Sequence, residues 1–416
     1  MTFAESVQYL FQLGPELKTV KWDLERIRLL LRWLGSPQTK TKFIHVAGTN
    51  GKGSTCAMIS AALVHAGYHT GLYTSPHLVS PTERIQINGK PVAEEIWTGA
   101  FDNVHAAAEE LLAEGVIDNH PSFFETVTAM AFLIFAEAAV DVVVLETGLG
   151  GRLDATNVVV PEISVITPVD FDHEAFLGSS IESIAGEKAG ILKTGVPAVF
   201  SSQRPEALAV LGARAELLGC PVSRAGQRSV EKVRADARGT HFVLDGVELF
   251  CPLAGAHQVD NARTAATALE LFGLSPVQIR EGIALAKWPG RLQELQSAPR
   301  VIVDGAHNPA GARALAAYIQ EFFHSSPVRI IFGAMRDKAV EEVTNTLFPL
   351  AAEVILTAPK QPRAVHPEAL LETLDHPSIR VTANLREALD LAAETPMTTF
   401  ITGSLYLAGE ALEIFA

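Results

Sequence analysis

Residues 48–55 read Gly48-Thr49-Asn50-Gly51-Lys52-Gly53-Ser54-Thr55, and they separate an apolar run that ends at Val46 from a stretch with helical periodicity. Glycines in such a turn let backbone N–H groups converge on phosphate oxygens, the following helix adds positive potential, and a lysine reaches the terminal phosphates. The segment therefore predicts a nucleotide-binding P-loop between a strand and a helix. A glycine-rich turn that binds nothing is the alternative.

This P-loop departs from the usual pattern at one position. Gly53 follows Lys52, at the place where a serine or threonine normally helps to hold Mg²⁺. The hydroxyl ligand of the metal would then come from elsewhere, from Ser54 or Ser75.

Short apolar runs alternate with longer helical stretches from Lys42 onward, which is the pattern of an α/β protein. In the first part these runs are continuously apolar, as expected of strands covered on both faces, and they lie at 43–46, 142–145, 163–167 and 196–200. Ser122 and Glu125 have the S-x-x-E spacing that starts a helix, and the apolar positions after them predict a long amphipathic one.

A second set of strands follows Trp288-Pro289-Gly290, at 301–303, 328–332, 353–356, 379–381 and 399–401. We therefore predict two α/β domains: a P-loop-type ATPase domain with a mostly parallel sheet at 1–290, and a smaller Rossmann-like, doubly wound domain at 291–416. Two runs that flank Asp245-Gly246 predict a β-hairpin inserted late in the first domain.

The composition excludes several classes of protein. The 416 residues include 33 Lys and Arg against 47 Asp and Glu, a net charge of −14, which argues against a broad basic surface for nucleic acid or anionic lipid. The three cysteines, Cys56, Cys220 and Cys251, are too far apart for a CxxC metal site and odd in number, which fits a reducing compartment. No apolar run approaches the roughly 18 residues of a membrane-spanning helix. We expect a cytoplasmic monomer whose partners are small molecules, with no nucleic acid and no membrane.

Polar residues follow several of the predicted strands, at the edge where open α/β sheets bind ligands. Glu146 directly follows the run 142–145 and is either a Mg²⁺-organising acid or a strand-end partner in a salt bridge. The glycine-rich loop after it carries both charge signs, which favours a functional role. His173 is by itself better interpreted as structural, because Mg²⁺ prefers oxygen ligands. Lys188, taken alone, is a solvated helix lysine.

The second domain repeats this arrangement. Asp304 and His307 follow a strand, and we favour a ligand-binding role for both. Asn308 and Pro309 also fit the N-cap and first position of a helix, a structural role that needs no ligand. Ser404 follows the last strand and would supply a hydroxyl group or merely form a turn.

Ten segments, in order along nearly the whole chain, resemble the folylpolyglutamate synthase and dihydrofolate synthase family of the Mur ligase superfamily. They are HVAGTNGKGS from His45, YTSPHL from Tyr73, ERIQING from Glu83, ETGLGGRLDATN from Glu146, DHEAFLG from Asp172, EKAGILK from Glu187, GAHQVDNA from Gly255, PGR from Pro289, DGAHNP from Asp304 and ITGSLYL from Ile401. A P-loop alone would indicate only a protein that binds a nucleoside triphosphate.

The resemblance implies an ATP-dependent ligase that adds L-glutamate to dihydropteroate, to reduced folates, or to both. The substrate carboxylate would take the γ-phosphoryl group of ATP as an acyl phosphate, which the amino group of glutamate then attacks. Alternatives are a folylpolyglutamate synthase only, a cell-wall precursor ligase and a regulatory ATPase that ligates nothing. Gly53 and the ITGSLYL segment disfavour the cell-wall ligase.

For the metal, the resemblance implies two Mg²⁺ ions, the first held by Ser75 and Glu146 and the second by Glu146 and His173. Lys188 matches a lysine that is carbamylated in these ligases, a modification that turns a cation into an anion able to help hold the metal. This interpretation replaces that of a solvated helix lysine.

The resemblance also assigns the substrates. The residues implied for ATP are Asn50, Gly51, Lys52, Gly53, Ser54, Asn261, Arg291 and Asp304. Those implied for the pterin or folate are Arg84, Ser122, Phe124, Asp154 and Ala155, with the Phe124 ring available for stacking. His307 and Ser404 are implied on the glutamate side, and His307 completes a catalytic set with Lys52 and Lys188. A surface salt bridge is the alternative role for Arg84.

Overall fold

A computed structural model describes residues 1–13, 23–336, 339–371, 374 and 376–416. Its backbone forms two compact units, one of residues 1–228 with 261–286 and the other of residues 229–260 with 287–416. Each unit contains its own sheet and its own hydrophobic core. Within the described ranges no helix is long and apolar enough to cross a membrane.

The first unit is built on a sheet of eight described strands in the order β4-β3-β2-β5-β1-β6-β7-β8. These strands are β1 (Lys42–Ala47), β2 (Thr70–Tyr73), β3 (Ile85–Ile87), β4 (Lys90–Pro91), β5 (Val142–Glu146), β6 (Ile163–Ile166), β7 (Ala198–Phe200) and β8 (Val222–Arg224). The neighbours in the order β2-β5-β1-β6-β7-β8 are parallel, and β3 pairs antiparallel with both β2 and β4. The central strands β1, β5 and β6 are almost wholly buried, because helices cover both faces.

The helices of this unit are α1 (Phe3–Gln12), α2 (Glu25–Trp33), α3 (Lys52–His65), α4 (Glu94–Ala113), α5 (Phe123–Glu137), α6 (Glu174–Leu177), α7 (Ile181–Lys188), α8 (Pro205–Leu217) and α10 (Pro276–Ile283). Helix α9 (His257–Phe272) begins in residues of the second unit and continues into the first.

Helix α5 begins as the sequence predicts, since Ser122 and Glu125 form a reciprocal capping box. The burial of α5 differs from the prediction, which was an amphipathic helix with one buried face. Most of its residues are buried around the whole circumference rather than along one face, because the helices α2 and α4 also pack against it. The sequence pattern shows which positions are apolar, but the second helical layer sets how many faces are covered.

The second unit has a six-stranded sheet in the order β12-β13-β17-β14-β15-β16 and a three-stranded antiparallel sheet in its described residues. The strands are β9 (Val230–Asp236), β10 (Gly239–Leu244), β11 (Val247–Cys251), β12 (Gln293–Ser297), β13 (Arg300–Val303), β14 (Val328–Phe332), β15 (Glu353–Leu356), β16 (Ile379–Val381) and β17 (Thr398–Thr402). The helices are α11 (Pro309–Phe323), α12 (Val340–Leu347), α13 (Pro367–Leu371), α14 (Leu385–Ala393) and α15 (Leu405–Phe415).

In the larger sheet only β12 runs antiparallel to its neighbour. Successive side chains of β14 alternate between two cores: Ile330 and Phe332 join one cluster, and Ile331 joins the other. Both faces are therefore covered, as a doubly wound sheet requires. The α/β class and the parallel sheets predicted from the sequence are confirmed.

The predicted hairpin is present as β10 and β11, with Asp245 and Gly246 at positive φ values of 46° and 86°. Its location differs from the prediction, because residues 229–260 group with the second unit rather than late in the first. The hydroxyl of Tyr318 on α11 donates to the carbonyl of Ala237 at 2.9 Å and so ties the small sheet to this unit. Such a long-range contact leaves no local signal in the sequence.

Candidate active site

The P-loop connects β1 to α3, and two of its glycines are required by close approaches. A Cβ at Gly48, whose φ is 155°, would lie 1.8 Å from the hydroxyl oxygen of Thr167. A Cβ at Gly51, whose φ is 83°, would lie 2.2 Å from the side-chain oxygen of Asn261. The loop is therefore packed against the end of β6 and against the buried Asn261, for which the family resemblance implies a place near the nucleotide. Helix α3 starts at Lys52, so the N–H groups of its first turn face the loop.

Two lysines converge on one carbonyl oxygen of this loop. The Nζ atoms of Lys52 and Lys188 donate to the oxygen of Gly48 at 3.2 and 2.7 Å. Lys52 also donates to the oxygen of Thr49 at 3.2 Å, whereas Lys188 is almost wholly buried, with 3% of its surface exposed. The structure therefore contradicts the interpretation of Lys188 as a solvated lysine and places it at the phosphate-binding turn.

Burial, together with the positive charge of Lys52, lowers the pKa of Lys188 to about 7, against the partly opposing effect of nearby acids. Those acids are Asp172, Asp154 and Glu187. A lysine with such a pKa is about half neutral near pH 7. Its amine is then nucleophilic, which an ordinary lysine is not at this pH.

Ser75 and Glu146 lie together at the carboxyl ends of β2 and β5, which are adjacent strands. The backbone N–H of Ser75 donates to Oε2 of Glu146 at 3.1 Å, and Glu146 is 3% exposed. A buried carboxylate beside a hydroxyl residue offers the oxygen atoms that Mg²⁺ prefers, so this pair fits the ion. The structure thus brings together the two residues that the resemblance assigns to the first metal.

His173 lies in the loop after β6, at the N-cap of α6, with a positive φ of 52°. Its Nε2 is 3.8 Å from Oδ1 of Asp172, the residue that also acts electrostatically on Lys188. Imidazole nitrogen fits Mg²⁺ less well than carboxylate oxygen does. The role of His173 as a ligand of the second metal stays a prediction.

The glycine-rich loop after β5 holds Asp154 through its own backbone. Asp154 accepts hydrogen bonds from the N–H groups of Leu149 at 2.8 Å and Thr156 at 3.0 Å, and from the Thr156 hydroxyl. The Thr156 hydroxyl also contacts Nε2 of His45 at 2.9 Å. Burial raises the pKa of Asp154, against the lowering effect of these hydrogen bonds. Neither His45 nor Thr156 was singled out from the sequence, since a histidine inside an apolar strand carries no signal of this contact.

The same loop packs on an aromatic ring from α5. A Cβ at Gly148 would lie 2.5 Å from Cζ of Phe124, so the ring and the loop are in direct contact. Ala155 is buried near the other end of the loop, and the Ser122 hydroxyl caps α5 by accepting from the N–H of Glu125 at 3.3 Å. The predicted pterin residues therefore lie on two adjoining elements, although the Ser122 oxygen already has a structural role.

Arg84 is buried rather than part of a surface ion pair. Its guanidinium lies 4.9 Å from the centre of the Phe123 ring, and its Nε donates to Nδ1 of His77 at 2.9 Å. Burial, together with the charge of Arg84, lowers the pKa of His77 to about 3, so His77 stays neutral and accepts this hydrogen bond. The structure places Arg84 beside the first turn of α5.

In the second unit, Asp304 fixes the loop after β13. It accepts from the N–H groups of Leu292 at 3.0 Å and Ala306 at 2.9 Å. Burial raises the pKa of Asp304, and the charge of Arg291 opposes the shift. A Cβ at Gly305 would lie 2.3 Å from Nη1 of Arg291. Arg291 and Asp304, both predicted nucleotide residues, therefore lie on adjoining loops.

Two helix caps occupy the same edge of this sheet. Asn308 caps α11 by accepting from the N–H of Gly311 at 2.8 Å, and Ser404 caps α15 by accepting from the N–H of Leu407 at 3.1 Å. The capping role considered for Asn308 is thus confirmed. Nδ1 of His307 lies 2.8 Å from the oxygen of Gly305. His307 and Ser404 follow the neighbouring strands β13 and β17, which places them at one edge.

The fold and the P-loop define an α/β protein of the nucleotide-binding class. Residues 46–269 match the Mur ligase middle domain, and residues 290–405 match the Mur ligase, glutamate ligase domain. The chain is 39% identical to a dihydrofolate synthase/folylpolyglutamate synthase of Bacillus subtilis, over 83% of each chain.

Two solved structures extend this similarity to the fold. Folylpolyglutamate synthase of Mycobacterium tuberculosis, solved with ADP and AMPPCP, is 36% identical, with a TM-score of 0.91 over 100% of this chain and 99% of that one. The E. coli FolC structure with DHPP and ADP is 33% identical, with a TM-score of 0.89 over 100% and 97% of the two chains. The chain therefore belongs to the folylpolyglutamate synthase/dihydrofolate synthase family of the Mur ligases, as the sequence predicts.

Proposed function

We propose that the chain is an ATP-dependent ligase that joins L-glutamate to both dihydropteroate and reduced folates. The observation that carries this proposal is the convergence of Lys52 and Lys188 on the Gly48 oxygen, with the buried Glu146 at the end of the strand beside the P-loop. Cations and an acid are thus placed for phosphoryl transfer at a turn built for phosphate. The Bacillus relative, whose name includes both activities, supports the double substrate range.

The chemistry proceeds in two steps. In the first, a carboxylate oxygen of the pterin substrate attacks the γ-phosphorus of ATP, the bond to the bridging oxygen breaks, and ADP leaves. In the second, the neutral amine of glutamate attacks the acyl carbon, phosphate leaves, and the amine proton passes to solvent. Water must be excluded between the steps, because it would hydrolyse the acyl phosphate.

The residues of the first unit would divide the first step among them. The amides of the P-loop and Lys52 would bind the phosphates of ATP. Ser75 and Glu146 would hold Mg²⁺, which when bound neutralises charge on the transferred group. His173 would join Glu146 at a second Mg²⁺.

We propose that Lys188 is carbamylated. Its neutral amine would attack carbon dioxide, a proton would leave, and the resulting carbamate anion would lie beside Lys52 and help to hold the metal. The pKa of about 7 and the burial of Lys188 support this step.

Lys188→Ala should lose glutamate incorporation, and small carboxylates such as acetate should restore part of it. Lys188→Arg is the matched control, because arginine keeps a charge but cannot be carbamylated. Acetate should not restore Lys188→Arg. If acetate does not restore Lys188→Ala, or if an unmodified amine is found in active protein, the carbamate is refuted.

The remaining roles are proposals of the same kind. Arg84, Ser122, Phe124, Asp154 and Ala155 would contact the pterin substrate, and the contact of Phe124 with the loop of Asp154 supports a shared surface. Asn261, Arg291 and Asp304 would contact ATP, and His307 and Ser404 would contact glutamate. The functional domains would run from 1 to 290 and from 291 to 416.

The test is a substrate-dependence assay with purified chain, ATP, Mg²⁺ and labelled glutamate. Phosphate release that requires both glutamate and a pterin supports the ligase. Activity with dihydropteroate and with tetrahydrofolate supports both substrates, whereas activity with tetrahydrofolate alone indicates a folylpolyglutamate synthase only. Phosphate release that is independent of the pterin would favour a regulatory ATPase. Lys52→Ala serves as the inactive control.

A further inference from the structure

A cluster of two histidines and a glutamate lies outside the residues considered so far. His105 and Glu109 are one turn apart on α4, and His120 lies in the segment before α5. Nδ1 of His105 and Nε2 of His120 are 3.9 and 3.8 Å from the same oxygen, Oε1 of Glu109. The three potential ligand atoms all lie within 4.8 Å of one another.

The protonation of the His120 ring is set by its other nitrogen. Nδ1 of His120 lies 2.9 Å from the carbonyl oxygen of Pro121, so it carries the proton and donates it. Nε2 therefore points a lone pair into the cluster. A histidine that binds a metal typically donates its second ring N–H to a carbonyl in this way.

The two nitrogens that face Glu109 are otherwise unsatisfied. Within the described ranges, Nδ1 of His105 and Nε2 of His120 are buried from solvent and have no hydrogen-bond partner. Their distances to Glu109 are too long for hydrogen bonds. Buried ring nitrogens without partners are costly, and an ion bound between the two rings would satisfy both of these atoms.

Packing holds both rings in place. His105 stacks on Phe101, with ring centres 5.5 Å apart and planes inclined by 12°. The ring of Tyr9 packs edge-to-face with both histidines, with its centre 4.7 Å from the ring centre of His105 and 5.8 Å from that of His120. Preorganised ligands lose little conformational entropy when an ion binds.

We propose that His105, Glu109 and His120 form a binding site for one divalent transition-metal ion, with Zn²⁺ the best match. Two imidazoles and one carboxylate are a common three-residue ligand set for this ion. Zinc bonds of about 2.0–2.1 Å in a tetrahedron place ligand atoms about 3.4 Å apart, so small rotations of the side chains would close the site. Water would fill the fourth position, since the Glu109 side chain is 55% exposed.

The electrostatics of the cluster and its position between two segments agree with a bound Zn²⁺ ion. Burial lowers the pKa of His120, a shift toward the neutral ring that binds metals. A set of two nitrogens and one carboxylate suits Zn²⁺ better than Mg²⁺, which prefers six oxygen atoms. An ion bound here would link α4 to the segment that leads into Ser122, the cap of α5. Zinc binding at this cluster would be separate from the proposed ligase activity.

Metal titration of the full-length chain tests the proposal. Chelator-treated protein is titrated with Co²⁺ and then Zn²⁺ in excess Mg²⁺, and Co²⁺ serves as a visible probe because the four-coordinate ion absorbs strongly. Wild type should bind one more equivalent of Zn²⁺ than Glu109→Gln and His120→Gln, or bind that equivalent at least about tenfold more tightly. Zn²⁺ should raise the melting temperature of wild type and not that of the two variants.

His65→Gln is the matched control, because among the described residues His65 pairs with a single acid, Glu281, at 3.2 Å. It should bind Zn²⁺ as wild type does. Glu109→Gln changes an exposed side chain and keeps its packing, so it tests the site even if His120→Gln fails to fold. Equal stoichiometry and affinity in wild type and Glu109→Gln would overturn the proposal.

Discussion

Acid should destabilise the first unit through His45, a fully buried residue of β1. The Thr156 hydroxyl donates to Asp154, so its oxygen accepts the proton on Nε2 of His45. The second ring nitrogen, Nδ1, is buried without a hydrogen-bond partner in the described residues. A proton added there would create a buried, unpaired charge. Burial, with the charge of Lys193, accordingly lowers the pKa of His45 to about 3.

The sign and size of the effect follow from this pKa. As the pH falls below 6.5, the unfolded chain protonates His45 and the folded chain does not, so protons favour unfolding. The free energy of unfolding should then fall by about 1.4 kcal/mol per pH unit until about pH 3. At about pH 5 the loss attributable to His45 is about 2 kcal/mol.

Urea unfolding of wild type and His45→Gln, followed by tryptophan fluorescence, measures how much His45 contributes to the pH dependence of the free energy of unfolding. Trp97 reports on the first unit because it is fully buried there. Glutamine keeps an N–H donor near Nε2 but does not titrate. The difference in unfolding free energy between the two proteins should shrink by about 2 kcal/mol between about pH 7.5 and about pH 5. His65→Gln, a change at an exposed histidine, controls for general effects of acid. A difference that stays constant over this range would refute the assigned protonation of His45.

Three further substitutions test other parts of the structure. Lys52→Ala should lower glutamate incorporation at least about a hundredfold while the circular dichroism spectrum is unchanged, and near-normal turnover would remove Lys52 from the mechanism. Gly148→Ala should destabilise the chain by about 1–3 kcal/mol in urea unfolding, because the new Cβ meets Phe124; Phe124→Leu should restore part of the loss, and an additive double variant would contradict that contact. Asn308→Ala should cost about 1 kcal/mol through loss of the α11 cap, with Asn308→Ser near wild type in the same measurement. Equal losses in these two variants would exclude the cap as the cause.

Local signals in the sequence predict much of the fold. The P-loop, the S-x-x-E box at Ser122 and the apolar runs each depend on neighbouring residues, and each is present in the structure. The strands β2, β3, β4, β8, β9 and β12 were not predicted. In β4 and β8 exposed residues break the apolar pattern, whereas β2 is buried but too short, with Thr70 and Gly71 in its four residues, to stand out as an apolar run. The family and its ligase class are also confirmed, since they rest on ten motifs rather than on one.

Residues whose properties depend on distant contacts could not be assigned in this way. Lys188 has the sequence surroundings of a surface helix, yet burial against the P-loop changes its pKa and its chemistry. His45 and the cluster of His105, Glu109 and His120 likewise depend on the packing of separate elements. Ionisation of a buried group is set by the surrounding solvent exclusion and charge, and sequence spacing specifies neither.

The strand order explains why residues so far apart in the chain form one candidate site. β2, β5, β1 and β6 are adjacent and parallel, so the loops after them emerge at the same edge of the sheet. These loops carry Ser75, Glu146, the P-loop and His173, in that order across the sheet. Glu146 and Lys52 are therefore supported by β5 and β1, whose buried side chains fix their spacing. A substitution that loosens this pair of strands should impair phosphoryl transfer even without touching a ligand, because spacing at the edge is set beneath it.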